Sequence, residues 1–330
     1  MAVKQRTAAL RWLLGGAVLP LLGAVACGGT SYGDVPRLEG PSPVAQLRML
    51  GTVWTVAQER PGGEARRHAM SVAQAPDRPP RGTPAQVPMR PDELVVGVEI
   101  GGEVIAYPLR FLNQVEVLND EAGGTPVAVT WCPLAGTATI FDRRVAGTVH
   151  TFHFGTSLIH DSLLLVDQET GSVWAQIARE AISGSHEGTG LEVIPSLQTT
   201  WAFWSARHPD TQVMGFPQEQ GYPYVYADFP ADHFPNPLPS HHDPAPLGLG
   251  VEVAGEHWFF PLRELDELHG DLPRLADGAL QVRYEPAGLV AWVEDRNGDL
   301  IDSQMAYERA WLAVHPESHV YSYTSPGLHP

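Results

Sequence analysis

The feature of this sequence that most constrains its fold is an internal duplication. Residues 96–112 read VGVEIGGEVIAYPLRFL and residues 249–265 read LGVEVAGEHWFFPLREL, with nine of 17 positions identical at a constant offset of 153. A later pair of segments, 202–213 and 308–320, matches at an offset of 107. A repeat of this length indicates a duplicated domain and not a solenoid. We therefore predict two duplicated, β-rich lobes.

The two copies differ in length and at one cysteine. The fall in offset from 153 to 107 means that the first copy carries about 46 residues that the second lacks, roughly residues 148–195. We predict that this insertion adds a hairpin to the first lobe. Cys132 in the first copy aligns with Glu285 in the second. Because of these differences we expect the functional site in the first copy and a structural role for the second.

Hydrophobic periodicity predicts a mainly β fold with a few short helices, of the α+β class. Alternating apolar residues around Gly-containing turns indicate hairpins at 94–108 and 162–177. Short amphipathic segments predict four helices. These segments are 109–118, 199–208, 262–269 and 306–315. The predicted domains of the folded part are the first copy at 92–215, a Pro- and His-rich linker at 216–245 and the second copy at 246–323.

The first 26 residues have the pattern of an export signal. Basic residues precede an apolar run at 12–22, which is too short and interrupted to span a bilayer, and small residues precede Cys27. We predict a lipoprotein signal at 1–26, acylation of Cys27 and a tether at 27–91, with a plain secretory signal as the alternative. Because Gly28 and not aspartate follows, the expected location is extracytoplasmic, on the periplasmic face of the outer membrane, with the lipid bilayer as partner.

Charge and composition exclude several classes of function. The formal charge is −17, and removing residues 1–26 takes away three positive charges and no negative ones, which gives −20. Such a field repels nucleic acid. Lys4 lies within the predicted signal and is the chain's single lysine, so Schiff-base chemistry is excluded in the processed protein. With Cys27 acylated, no internal disulfide is possible.

Five motifs in order resemble the DUF3179 family of bacterial and archaeal proteins, whose function is not established. The motifs are VVGVEIGGEVIAYPL, EVLND, VTWCPLAGTATIFDR, LLLVDQETGSVWAQ and TTWAFWSARHPDT. The sequence departs from the family pattern at Ala135, where a second cysteine is usual, and at Val115, where a histidine is usual. A dithiol redox reaction of the C-x-x-C kind is therefore not available to this chain.

Cys132 is the centre of the candidate chemistry. It follows a predicted strand and precedes a turn, where it can act as a soft metal ligand, as a nucleophile or as a small core residue. With His153 and His160 it offers the ligand types that copper or zinc prefers. The same residues form a possible Cys–His nucleophile pair, with Asp161 or Glu116 orienting the base. Each histidine alone also fits a structural role.

Four further residues are candidates for contact with a ligand. Glu116 and Asp120 belong to a polar cluster after a short helix, where they can serve acid–base chemistry or cap a turn. Trp174 and Gln176 lie two residues apart and so on one face of a strand. Trp174 also fits a packing role, whereas a buried Gln176 needs hydrogen-bond partners, and a bound ligand can supply them.

Three functions remain open from the sequence. The first is binding of a small ligand or a soft metal ion in a cleft of the first copy, around Cys132. The second is a thiol-dependent enzyme with Cys132 as nucleophile and a histidine as base. The third is a non-catalytic scaffold lipoprotein in which both lobes are structural.

Overall fold

The protein is mainly β, as predicted, with short helices. The computed structural model describes residues 79–159, 162–215, 247–268 and 272–323. The predicted signal and the whole of the predicted linker lie outside these ranges. The helices within them are α1 (Leu109–Val115), α2 (Trp201–Arg207), α3 (Leu262–Asp266) and α4 (Glu308–Val314). No helix in the described ranges has both the length and the hydropathy needed to cross a membrane.

The strands fall into two groups along the chain, separated by the predicted linker. Those before residue 216 are β1 (Arg81–Gly82), β2 (Leu94–Ile100), β3 (Glu103–Pro108), β4 (Val117–Ala122), β5 (Thr125–Cys132), β6 (Thr137–Asp142), β7 (Arg144–Val145), β8 (Thr148–Val149), β9 (Phe152–Ile159), β10 (Ser162–Asp167), β11 (Val173–Ala175), β12 (Glu180–Ser183), β13 (Val193–Ile194), β14 (Ser196–Thr200) and β15 (Gln212–Met214). Those after residue 246 are β16 (Leu247–Val253), β17 (Glu256–Pro261), β18 (Arg274–Leu275), β19 (Leu280–Glu285), β20 (Val290–Asp295), β21 (Leu300–Ile301), β22 (Gln304–Tyr307) and β23 (His319–Val320).

These strands form small sheets in a propeller-like ring. Sheet I has the order β1-β15-β3-β2-β14, sheet II β13-β6-β5-β4, sheet III β12-β11-β10-β9, sheet IV β22-β16-β17-β23 and sheet V β18-β19-β20-β21. Sheets I and IV share one pairing pattern, in which a central hairpin has an antiparallel strand on one side and a parallel strand on the other. The strands so paired are those that the sequence offsets of 153 and 107 align.

The prediction of two lobes is not confirmed, because the aligned segments share contacts and a core. The N–H of Thr200, at the end of β14, donates to Gly288 O in the β19–β20 turn at 3.1 Å. The N–H of Tyr307, at the end of β22, donates to Ala135 O in the β5–β6 turn at 2.7 Å. Each segment therefore closes on a turn from the other half of the chain. One apolar cluster also contains residues from both halves.

The predicted insertion forms more than a hairpin. The β10–β11 hairpin is present as expected, and it is extended by β9 and β12 into the four strands of sheet III. A two-stranded ribbon, β7–β8, precedes this sheet. Asn119 of β4 fixes sheet III to sheet II, since its amide donates to Phe152 O at 2.8 Å and accepts from Phe152 N at 3.0 Å. The insertion is thus anchored on the strand pair that carries Cys132.

Two glycines permit the tryptophans of α2 and α4 to pack directly on the sheets. A Cβ atom at Gly97 would lie 2.4 Å from the Trp204 ring, and one at Gly250 would lie 2.3 Å from the Trp311 ring.

Because neither ring can withdraw from a filled core, we expect Gly250→Ala to lower the free energy of unfolding by about 3 kcal/mol in urea titrations. Gly190→Ala is the control, since its nearest atom is 3.9 Å away. Equal losses in the two variants would contradict this account.

Candidate functional site

Cys132 lies at the end of β5, on the face of sheet II that packs against the insertion. Side chains alternate along this strand, so Val129 and Trp131 join one apolar cluster and Cys132 joins another that contains residues of sheet III. The Cys132 side chain is buried, with 1% of its surface exposed. The predicted strand-to-turn position is therefore confirmed, but the thiol lies in the interior and not at an open edge.

The surroundings of the Cys132 sulfur act on its ionisation in two directions. Burial, followed by the nearby Glu116 carboxylate, raises the pKa of the thiol to about 12. The backbone N–H groups of Ala135, Leu134 and Leu163 act against this by stabilising the thiolate. In this state the sulfur is a protonated thiol at neutral pH, although it is surrounded by donors that suit an anion.

The equivalent position in the second half of the chain carries a carboxyl side chain. Glu285 aligns with Cys132 and ends β19, the strand equivalent to β5. Its carboxylate accepts a hydrogen bond from Ala287 N at 3.1 Å, and Ala287 aligns with Leu134. The first N–H groups of this turn therefore point at an anionic side chain in one half and at the sulfur in the other.

Glu116 is a buried carboxyl group on a strained backbone. It ends α1 with φ of 53°, a left-handed conformation that is costly for a residue with a side chain. Its backbone is held on both sides, because its N–H donates to Leu112 O at 2.6 Å and its C=O accepts from Trp131 N at 2.8 Å. Burial raises the pKa of its carboxyl group to about 8. Among the described residues, its Oε1 atom has no hydrogen-bond partner.

Two glutamines from other sheets complete a buried polar patch beside the cysteine. Gln176, which follows β11, donates from Nε2 to Thr130 Oγ1 at 2.8 Å, and Gln304 of β22 donates from Nε2 to Thr139 Oγ1. Within the described ranges, Oε1 of each glutamine and Oγ1 of Thr137 have no partner. We define the polar patch by seven residues: Glu116, Thr130, Cys132, Thr137, Thr139, Gln176 and Gln304.

Trp174 and Asp120, predicted as ligand contacts, have structural partners. Trp174 is fully buried and donates from Nε1 to Asp167 Oδ2 at 2.8 Å. Asp120 is buried, and its Oδ2 accepts from Arg81 at 2.7 Å and from the Tyr107 hydroxyl at 2.8 Å. Arg81 and Asp120 also line a shallow cavity of about 280 Å³. The charge of Asp120 is therefore already neutralised by the protein itself.

His153 is the one remaining predicted site residue within the described ranges, and it does not join the polar patch. His153 is half-buried, and its Nε2 lies 3.1 Å from Gln168 Oε1 at the outer end of the β9–β10 pair. His160, Asp161 and Cys27 lie outside the described residues. The predicted set of Cys132, His153 and His160 therefore stays a prediction, and the structure places Glu116 rather than His153 beside the thiol.

Four residues of the polar patch were not predicted from the sequence: Thr130, Thr137, Thr139 and Gln304. Threonine and glutamine on strands are ordinary surface residues, and Gln304 is 172 positions from Cys132 in the sequence. The available indication was the alternation of threonines in β6, a strand in which every residue is buried. A polar residue at every second position of a buried strand indicates a polar interior face.

Comparisons with known proteins place the chain in a family but do not supply a function. A family model described as "Protein of unknown function (DUF3179)" matches residues 76–271, more than half of the chain. The matched range includes sheets I to III and the first hairpin of sheet IV. The searches of curated proteins and of solved structures gave no match.

Proposed function

This chain belongs to the DUF3179 family, a family of unknown function, and we propose that it binds a soft metal ion at Cys132 and Glu116. The observation that carries the proposal is the burial of a thiol beside a carboxyl group whose Oε1 atom has no partner among the described residues. A carboxyl group without a partner in the interior lowers stability. Such a cost is typical of a functional site.

A metal ion accounts for the chemistry of this pair. The ligand forms of cysteine and glutamate are anionic, and binding of a divalent ion releases their protons even where burial raises the pKa of both groups. One thiolate and one carboxylate together neutralise such an ion. Gln176 Oε1, which has no partner in the described part of the chain, is a further oxygen ligand within the polar patch. A sulfur ligand with oxygen ligands favours zinc or copper over magnesium or calcium.

The backbone around the sulfur supports the same role. Donors to a ligand sulfur stabilise a metal thiolate, and the N–H groups of Leu134, Ala135 and Leu163 already stabilise the charged form of Cys132. The absence of a cysteine at position 135 removes one ligand that the family pattern offers. The ligand set proposed for this chain consists of Glu116, Cys132 and Gln176, and it does not require a cysteine at position 135.

A thiol-dependent enzyme is less well supported than metal binding. A catalytic nucleophile needs thiolate at neutral pH, and burial raises the pKa of Cys132 to about 12. It also needs a base in hydrogen-bond reach, whereas His153 contacts Gln168 instead. We propose that the protein carrying this site is extracytoplasmic and is anchored to the membrane by lipid on Cys27. If the site binds no metal, the scaffold function is the remaining alternative.

Metal affinity tests the proposal directly. The exported chain, purified in detergent and stripped of metal, is titrated with zinc and with cuprous copper against a chromophoric chelator. We expect Cys132→Ser and Glu116→Gln each to weaken binding by at least about tenfold, because each removes a ligand. Glu99→Gln, an exposed residue of β2, is the control and retains full affinity. Unchanged affinity in both site variants would exclude the site and favour the scaffold.

A further inference from the structure

A second group of ligand atoms lies in the insertion, where β9 begins and β10 ends in the β10–β11 turn. It consists of His150, Asp167 and Glu169, each of which offers one ligand atom, and these atoms all lie within 4.8 Å of one another. His150 precedes β9, Asp167 ends β10, and Glu169 is in the following turn. None of these residues belongs to the polar patch around Cys132.

The two distances from His150 Nδ1 to the carboxylates fit a tetrahedral metal. His150 Nδ1 lies 3.4 Å from Asp167 Oδ1 and 3.7 Å from Glu169 Oε2. Ligands at about 2.1 Å from a tetrahedral zinc ion are about 3.4 Å apart. The observed separations are longer than an ordinary hydrogen bond and close to the spacing that an ion between these atoms imposes.

The burial and bonding of His150 give a second, independent indication of a ligand. His150 has 2% of its surface exposed, and its Nδ1 has no hydrogen-bond partner among the described residues although it faces two carboxylates. A buried ring nitrogen without a partner lowers stability, and a metal ion would satisfy it. The His186 ring, with its centroid 5.1 Å from that of His150, places another imidazole beside the group.

The partners of the two carboxylates are those expected of residues that orient a metal ligand. Asp167 accepts hydrogen bonds from Trp174 Nε1 at 2.8 Å and from Thr170 N at 2.6 Å, which fix its orientation. Glu169 accepts from Thr151 N at 2.8 Å through the oxygen that faces His150. Bonds of this kind hold ligating carboxylates in metalloproteins.

We propose that His150, Asp167 and Glu169 form a binding site for a divalent cation of the zinc type, with nitrogen and oxygen ligands. Its ligand set differs from that of the Cys132 site, because it contains no sulfur and includes one exposed residue, Glu169. The site is confined to the insertion, which the second half of the chain lacks. It is independent of the proposed function and stands or falls without it.

Zinc titration of the metal-free exported chain tests this site. We expect Glu169→Gln, whose amide oxygen still accepts from Thr151, to weaken one zinc-binding event by tenfold or more, and His150→Gln to abolish it. Glu187→Gln, an exposed residue of the same insertion, is the matched control and binds as the wild type does. If Glu169→Gln, His150→Gln and Glu187→Gln all bind zinc as the wild type does, the proposal is overturned.

Two further variants separate this site from other sources of zinc binding. The Cys132→Ser variant must retain the zinc-binding event that Glu169→Gln weakens. This result therefore does not depend on whether the Cys132 site binds metal. Replacing His241 and His242 of the sequence's His-rich segment with alanine removes adventitious binding there. The His150 site is refuted if replacing His241 and His242 abolishes all zinc binding outside the Cys132 site while Glu169→Gln leaves that binding unchanged.

Discussion

Replacing Glu116 with glutamine is expected to stabilise the metal-free protein at pH 8 by about 3 to 5 kcal/mol. Burial raises the pKa of this carboxyl group from 4.5 to about 8. Between these values the folded state keeps a proton that the unfolded state has released. The free energy of unfolding therefore falls as the pH rises from about 4.5 to 8, and each unit of pKa difference contributes about 1.4 kcal/mol. Glutamine has no such proton and removes this loss.

Urea unfolding at pH 5 and at pH 8, with and without zinc, measures this effect. Without metal, the gain of Glu116→Gln over the wild type should be several kcal/mol larger at pH 8 than at pH 5. With saturating zinc the order should reverse, because the wild type gains binding energy that the variant lacks. Glu99→Gln, which is exposed, should show neither change. A variant that is less stable than the wild type at both pH values in the absence of zinc would contradict the account of Glu116.

Replacing Asp167 with alanine is expected to lower the free energy of unfolding by about 3 kcal/mol. Although burial alone raises the pKa of this carboxyl group, hydrogen bonds from Trp174 and Thr170 outweigh it and lower the pKa, so the group is ionised at neutral pH. Alanine leaves Trp174 Nε1 in the interior without its acceptor, whereas Thr170 is exposed and its N–H can bond to water instead. A buried donor without its acceptor costs about 1 to 3 kcal/mol.

Asp295→Ala is the matched control for Asp167→Ala. Asp295 occupies a similar turn after β20, where it accepts from Asn297 N at 2.8 Å and from Asp299 N at 2.9 Å. Its donors are exposed and can bond to water instead, so we expect a clearly smaller loss than for Asp167→Ala. Thermal and urea unfolding of the two variants compares them directly. Equal losses would mean that Asp167 is no more than a turn residue.

The fold class and most elements could be predicted from the sequence because local patterns determine them. The Gly101–Gly102 pair between alternating apolar residues predicts the β2–β3 hairpin, and the structure has it. The sequence pattern could not show whether the two copies form separate lobes. The contacts between the two halves of the chain join Thr200 to Gly288 and Tyr307 to Ala135. An alignment of the two copies identifies equivalent residues, but it does not show which half of the chain each residue contacts.

The candidate site could be predicted only in part. Cys132, Glu116 and Gln176 were identified from their types and positions, and the structure places them on or beside one buried face. His153 was chosen for the ligand type of its side chain, but its ring contacts Gln168 at the end of the strand pair. His150 was not among the predicted ligands, because its two carboxylate neighbours, Asp167 and Glu169, are brought to it by the pairing of β9 with β10.

The measurement that tests the central claim most directly is the metal content of the protein as it is exported. Elemental mass spectrometry is applied to the wild type and to Cys132→Ser, both purified in detergent without added metal. The account predicts about one equivalent more of zinc or copper per chain in the wild type than in the variant. Equal metal content in the two proteins would contradict binding at Cys132 and leave the thiol as a buried core residue.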